Sequence, residues 1–223
     1  NVHGLTSLDY PLQALVNVMI YIDPTTAGFL GQQPGWIDFP NAAFIPEESF
    51  AGFGLPPRPG GAIVFGQYGY TDFSYDASVI YHEYTHAMVG TTRLTGELVD
   101  EWGLDNLPGA MNEGFADYFA ASMSGHPYIG TYGLASAGAH LLRNLSEPRV
   151  CPEDLKTEIH ADGRIIGSAM WTLRLELGQE MTDGIILRAL QSFSQTTNVD
   201  QAANLIIDEA HLLNDPMYGK EAL

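Results

Sequence analysis

His82 and His86 bracket Glu83-Tyr84-Thr85, and this four-residue spacing constrains the chain more than any other feature in it. In a helix, residues four apart stand one above the other on a single face. Both imidazoles then aim at one point, with Glu83 projecting beside them. Further along, Glu113 and Asp117 repeat the spacing within Asn112-Glu113-Gly114-Phe115-Ala116-Asp117. That pair is embedded among Met111, Phe115, Tyr118 and Phe119. A solvated acidic face would not carry so many large apolar neighbours, so this second helix is expected inside the protein, against the first.

The residue types point to metal chemistry. Two histidines one helical turn apart with an intervening glutamate form the H-E-x-x-H arrangement of zinc hydrolases. In such a site zinc polarises a carbonyl and activates water, and the glutamate takes the proton. Catalytic zinc needs three protein ligands and one open position. His82, His86 and Glu113 are the candidate ligands, and Glu83 is the candidate base. A ligating histidine usually donates its other N–H to a carboxylate, which sets its tautomer. Asp117 is placed to do this for His82.

Composition narrows the setting. With 45% hydrophobic and 16% charged residues among 223, the chain can build one large domain or two small lobes around a cleft. The formal charge of −18 repels phosphate backbones, which argues against nucleic acid as a partner. No apolar run reaches membrane-spanning length. Cys151, the single cysteine, has no partner for an internal disulfide. Asn1-Val2-His3-Gly4 has neither the basic end nor the apolar stretch of a signal peptide, so a processed form and a trimmed one both stay open.

Residues 11–21 read as an apolar helix or a buried strand, with periodicity unable to decide. A loop is expected around 31–35, a short apolar stretch at 42–45, irregular Pro- and Gly-rich chain over 46–61, and a strand at 62–65. Helices are expected over 77–89, 110–123, 165–177, 184–193 and 199–213, with a loop at 103–109. The plan is α+β: a β-containing N-terminal lobe (1–96) and a mainly helical C-terminal lobe (97–223), one catalytic unit with the zinc helix between them.

His-Glu-Tyr-Thr-His followed by Asn-Glu-Gly-Phe-Ala-Asp resembles the thermolysin and fungalysin group of gluzincin endopeptidases. Asp76 and Arg93-Leu94-Thr95-Gly96 are closer to fungalysins. The similarity runs from about 17 to 213, with two extra residues between His86 and Arg93 and with Ala87-Met88 in place of the usual small pair. The resemblance implies a thermolysin-like fold and one catalytic Zn2+. It also implies that Leu142-Arg143 lines the pocket beyond the scissile bond, with Leu142 in an apolar wall and Arg143 holding a substrate carbonyl. His160, followed by Gly163 and Met170-Trp171, would stabilise the oxyanion. Asn41-Ala42-Ala43-Phe44 is similar to the family's substrate-pairing edge strand with one alanine more, which leaves the register open: Asn41 and the backbone of Ala42 or Ala43 would meet the substrate by strand addition.

Departures from thermolysin are expected to matter. Leu104 stands where a tyrosine assists the oxyanion, and Leu155 where an acidic residue supports the later histidine, although Glu153, Asp154 and Glu158 are near. Ser78 replaces a calcium-ligating aspartate, so Ca2+ is unsupported at the usual positions, while another site stays open in so acidic a chain. The resemblance further implies a peptide or protein substrate, an inhibitory propeptide as a partner, and a secreted or cell-surface location. Three functions follow: an endopeptidase cutting before apolar residues, a gluzincin exopeptidase, or a catalytically silent zinc-binding module of a larger protein.

Overall fold

The computed structural model describes residues 8–94, 99–100 and 103–213. Strand content lies mainly in the first third. Strand β1 (Gln13–Leu15) pairs in parallel with β5 (Ala62–Phe65), whose other edge pairs antiparallel with β4 (Ala42–Ile45), giving the order β1-β5-β4. Between them, β2 (Met19–Ile22) and β3 (Gly35–Asp38) form an antiparallel pair that encloses helix α1 (Pro24–Leu30). Short pairs follow: β6 (Gln67–Tyr68) with β7 (Thr71–Asp72), β8 (Val99–Asp100) with β9 (Gly103–Leu104), and β10 (Tyr128–Ile129) with β11 (Arg143–Asn144). The five larger helices are α2 (Ala77–Val89), α3 (Leu107–Ser124), α4 (Ile159–Leu177), α5 (Gln179–Ser192) and α6 (Val199–Leu213).

The 11–21 stretch is two strands rather than one element, because Asn17 takes a left-handed φ of 55° and breaks the run. Helix α1 was not expected: it buries only Ala27, so no apolar stripe announces it. Its signals are local instead, with Asp23 accepting from the Thr25 and Thr26 amides, Pro24 in the first turn and Gly31 left-handed at the end. Helix α2 spans the predicted residues. Helices α3, α4 and α5 each start earlier than their apolar periodicity suggests, at Leu107, Ile159 and Gln179. The 96/97 boundary, Thr95-Gly96 and the last residues, 214–223, lie outside the described residues.

Packing explains where the site sits. Val79 of α2 joins Ala42, Ile63, Phe65 and Phe73 in a core beneath the sheet. Val89, ten positions along the same helix, joins Met111, Phe115, Ile186, Leu190 and Phe193 among the helices. Burying each such side chain contributes about 1.5–3 kcal/mol. Helix α2 is therefore fixed from both sides. Helix α3 is buried almost all round, as a helix apolar on every face must be. It meets α4 at glycines: a Cβ on Gly114 would lie 2.7 Å from Gly163 O, and one on Gly163 would lie 2.9 Å from Glu113 Cβ. These two small residues let the helices approach where Glu113 and His160 meet.

Candidate metal centre

Asp76 caps α2, and the helix then presents His82, Glu83 and His86 toward α3 and β4. The His82 and His86 Nε2 atoms face each other at 3.0 Å. Glu113 Oε2 is 3.2 Å from His82 Nε2, and Glu113 Oε1 is 3.6 Å from His86 Nε2. One donor atom from each of the three residues falls within 4.8 Å of the others, a spread that one metal ion can bridge. The expected ligand set is thus brought together by two helices.

Donor and acceptor accounting shows that the cluster fits zinc. His82 Nδ1 lies 2.9 Å from Asp117 Oδ1, though off the line of an ideal hydrogen bond, and His86 Nδ1 lies 3.0 Å from Asn112 Oδ1. Both of these partners accept, so both Nδ1 atoms carry hydrogen and both Nε2 atoms present lone pairs to the same point. Glu113 Oε2, buried beside them, receives no aligned N–H or O–H. With both rings neutral, three lone-pair donors converge on one point. Burial lowers the basicity of His82, but the carboxylates of Asp117 and Glu113 outweigh it and lift the pKa to about 9, so without a cation the ring takes a second proton, on Nε2. The cluster draws positive charge to this point, and a divalent cation supplies it to all three donors at once.

Around the cluster, Arg143 and Asp117 form a buried two-pronged pair, Nε to Oδ2 at 2.6 Å and Nη2 to Oδ1 at 2.7 Å. Burial raises the Asp117 pKa, yet Arg143 and His82 hold it well below the usual carboxylate range. Arg143 is therefore no loose surface ion pair. It anchors the carboxylate that faces His82. Asn112, which the sequence reading did not single out, does for His86 what Asp117 does for His82.

His160 is half exposed, with Nε2 3.6 Å from Glu113 Oε1. Its Nδ1 meets Glu158 Oε1 at 2.7 Å, and Glu158 also accepts from the His160 and Ala161 amides as the cap of α4. The acidic support sought five residues earlier thus comes from two residues earlier. Leu104 lies on β9 and is 82% exposed, away from the cleft. Among the tyrosines in the described residues, Tyr10 lines the cleft.

A cleft of about 600 Å3 passes the cluster. Asn41 and Ala42 line it where β4 begins, and Ala42 also packs into the core with Phe73 and Val79. The Phe44 amide donates to Glu83 Oε2 at 2.8 Å, so the free edge of β4 faces the glutamate. Within β4, Ala42 stands opposite Phe65 and Phe44 opposite Ile63 of β5. The donor to Glu83 is a backbone N–H, so the identity of residue 44 did not reveal the bond. Leu142 and Arg143 line the opposite wall with Ile129.

Among curated proteins no sequence matches this chain. The model of the family described as fungalysin metallopeptidase (M36) matches residues 63–180, more than half of the chain, and that span holds both helices of the cluster and His160. With the converging lone pairs already accounted for, the chain belongs to the fungalysin metallopeptidase family, whose members are zinc-dependent peptidases.

Proposed function

We propose that this metallopeptidase is an endopeptidase that cuts extended chains before apolar residues. His82, His86 and Glu113 hold one zinc ion, which supplies Lewis acidity to the scissile carbonyl and to water. Glu83 takes the proton from the attacking water and passes it to the leaving nitrogen. The Phe44 amide keeps that carboxylate aimed. His160 donates toward the oxyanion, with Glu158 holding its other ring nitrogen. The substrate backbone pairs along the free edge of β4 at Asn41 and Ala42, and Arg143 donates to a carbonyl beyond the cut. Phe73, Val79, Ile129 and Leu142 wall the pocket for the apolar side chain.

The observation that carries this reading is the convergence of two imidazole lone pairs and a carboxylate beside Glu83. The cleft lining includes residues of β4 and of the 129–143 region as well as the cluster, which supports binding of an extended chain. We further take it to lie between a β-containing lobe, residues 1–96, and a helical lobe, residues 97–223, since the two ends of α2 pack in different cores. No helix among the described residues is long and apolar enough to cross a membrane, and by analogy with the family we take the protein to be secreted or at the cell surface and held by an inhibitory propeptide.

The test is hydrolysis of a quenched extended peptide, with and without chelator, by the wild type and by Glu83→Gln. Chelation should abolish activity, added zinc should restore it, and Glu83→Gln should lose about 10²–10⁴-fold while keeping its zinc. Equal, chelator-resistant activity in both proteins would sink the mechanism. Glu47 and Glu48 line one end of the cleft and favour a second reading, an exopeptidase holding a free amino terminus. Loss of all cleavage on N-acetylation of the peptide would establish that reading instead.

A further inference from the structure

We infer that Asp162 is a positioning residue that sets His160 against Glu113 by clamping the turn before α4 to the start of α3. The inference rests on the proposed action of His160 on the substrate. Asp162 lies two residues beyond His160, is 1% exposed and does not line the cleft. Its oxygens accept from the Lys156 amide at 2.6 Å and from Asn106 Nδ2 at 3.1 Å. A carboxylate withdrawn from water is costly unless such bonds replace its hydration. The segments that it ties are those that decide where His160 goes.

Lys156 precedes Thr157, whose φ of 56° is left-handed, and Thr157 precedes Glu158, the residue that caps α4 and holds His160 Nδ1. A β-branched residue keeps that backbone only when its surroundings over-determine it. The short Asp162 bond to the Lys156 amide does so by closing the turn onto the helix that it begins. Asn106, the other partner, immediately precedes α3, the helix that carries Glu113. One buried side chain therefore relates the turn, the first turn of α4 and the start of α3. The glycine contact between Gly114 and Gly163 sets how near the two helices come. Asp162 sets the turn that points the imidazole.

Asparagine at 162 keeps the shape but turns one acceptor into a donor, so either the Lys156 amide or Asn106 Nδ2 meets another N–H. The experiment compares zinc-loaded Asp162→Asn, His160→Ala and the double variant on one peptide. Asp162→Asn should lose about tenfold to a hundredfold in kcat, the scale of a misplaced catalytic group, with full zinc content and KM within about threefold. The double variant should be no slower than His160→Ala alone, because Asp162 acts through His160. Losses that multiply, or a normal kcat with only a lowered melting temperature, overturn the inference. Should Asp162→Asn not fold, Asn106→Ala carries the test: a loss of about threefold to tenfold in kcat that vanishes in the His160→Ala background supports it, and an unchanged kcat overturns it. Wild-type activity in His160→Ala overturns the prior reading of His160 itself, a result distinct from either.

Discussion

The two ends of the cleft-lining part of α2 carry polar clusters that look alike in composition and differ in completeness. At the first turn, the Asp76 carboxylate accepts from the Ser78 amide at 3.0 Å, the Ser78 hydroxyl at 2.6 Å and the Val79 amide at 3.3 Å. It also accepts from the Tyr132 and Gly133 amides at 2.8 and 2.9 Å, and Ser78 Oγ in turn accepts from the Gly130 amide. Both carboxylate oxygens there meet hydrogens that the chain itself supplies. At His82, His86 and Glu113 lone pairs meet one another. The first cluster is finished by folding, whereas the second is finished by a cation. Both are buried, so burial alone does not separate a structural polar cluster from a functional one, and counting donors against acceptors does.

The largest break in this contrast is removal of a ligand. Glu113→Ala should lose bound zinc, measured by metal analysis, and about a thousandfold or more in kcat/KM, since a metal Lewis acid contributes several kcal/mol at the transition state. Asp76→Ala should do the reverse. It keeps its zinc and most of its kcat but is less stable by about 2–4 kcal/mol in urea, the sum of a lost helix cap and stranded amides of the 130–133 loop. Loss of zinc from Asp76→Ala would show that the two clusters are one unit.

Acidity sharpens the same comparison. Burial raises the Asp76 pKa, but the Ser78 hydroxyl and the surrounding amides outweigh it and leave the carboxyl below its ordinary value. A depressed folded pKa means that the stabilisation is complete above the unfolded value, near 4, and is lost as pH falls through the lower folded value. The urea midpoint of Asp76→Asn should thus lag the wild type most at pH 7 and converge with it in strong acid. A gap that widened on acidification would contradict the assignment.

Next in size is Gly163→Ala. The added Cβ would lie 2.9 Å from Glu113 Cβ and 3.0 Å from Ala110 O and Gly114 N, and two of those three atoms are backbone. Helix α4 must move off α3, at about 1–3 kcal/mol, and take His160 with it. We expect kcat/KM to fall about tenfold or more, with zinc retained. A destabilised protein of unchanged activity would place His160 outside the chemistry.

What the sequence disclosed follows from what is local. The cluster was legible because helical spacing alone aligns His82 with His86 on α2 and Glu113 with Asp117 on α3. The late start of α4 in the periodicity reading arose because its first turn spends its positions on His160, Asp162 and Gly163, which serve the site rather than a core stripe. Glu158 stood in the sequence as one of three acidic residues near His160, and only the fold picks it out, because one carboxylate both caps the helix and holds the ring. The parallel pairing of β1 with β5, the Phe44 amide on Glu83 and the closure of the 130–133 loop on Asp76 each depend on backbone amides far away in the chain. Side-chain identity carries little record of such bonds.

The smallest effect tests where strain resides. Beside Asp76, the chain places glycine where φ is positive, as at Gly130 with φ 71°. Beside His160 it places Thr157 at φ 56°, a conformation that costs a non-glycine residue about 1–2 kcal/mol. Thr157→Gly removes that cost but adds freedom to the unfolded chain, worth about 0.5–1 kcal/mol against it. The net gain should be about 0.5–1 kcal/mol in urea, while Thr157→Ala, which keeps the Cβ, should gain almost nothing. Because glycine accepts the same φ and Asp162 still grips the Lys156 amide, kcat should stay within about twofold of the wild type. A more stable but much slower Thr157→Gly would mean that the strained threonine itself, and not the Asp162 clamp, aims the imidazole.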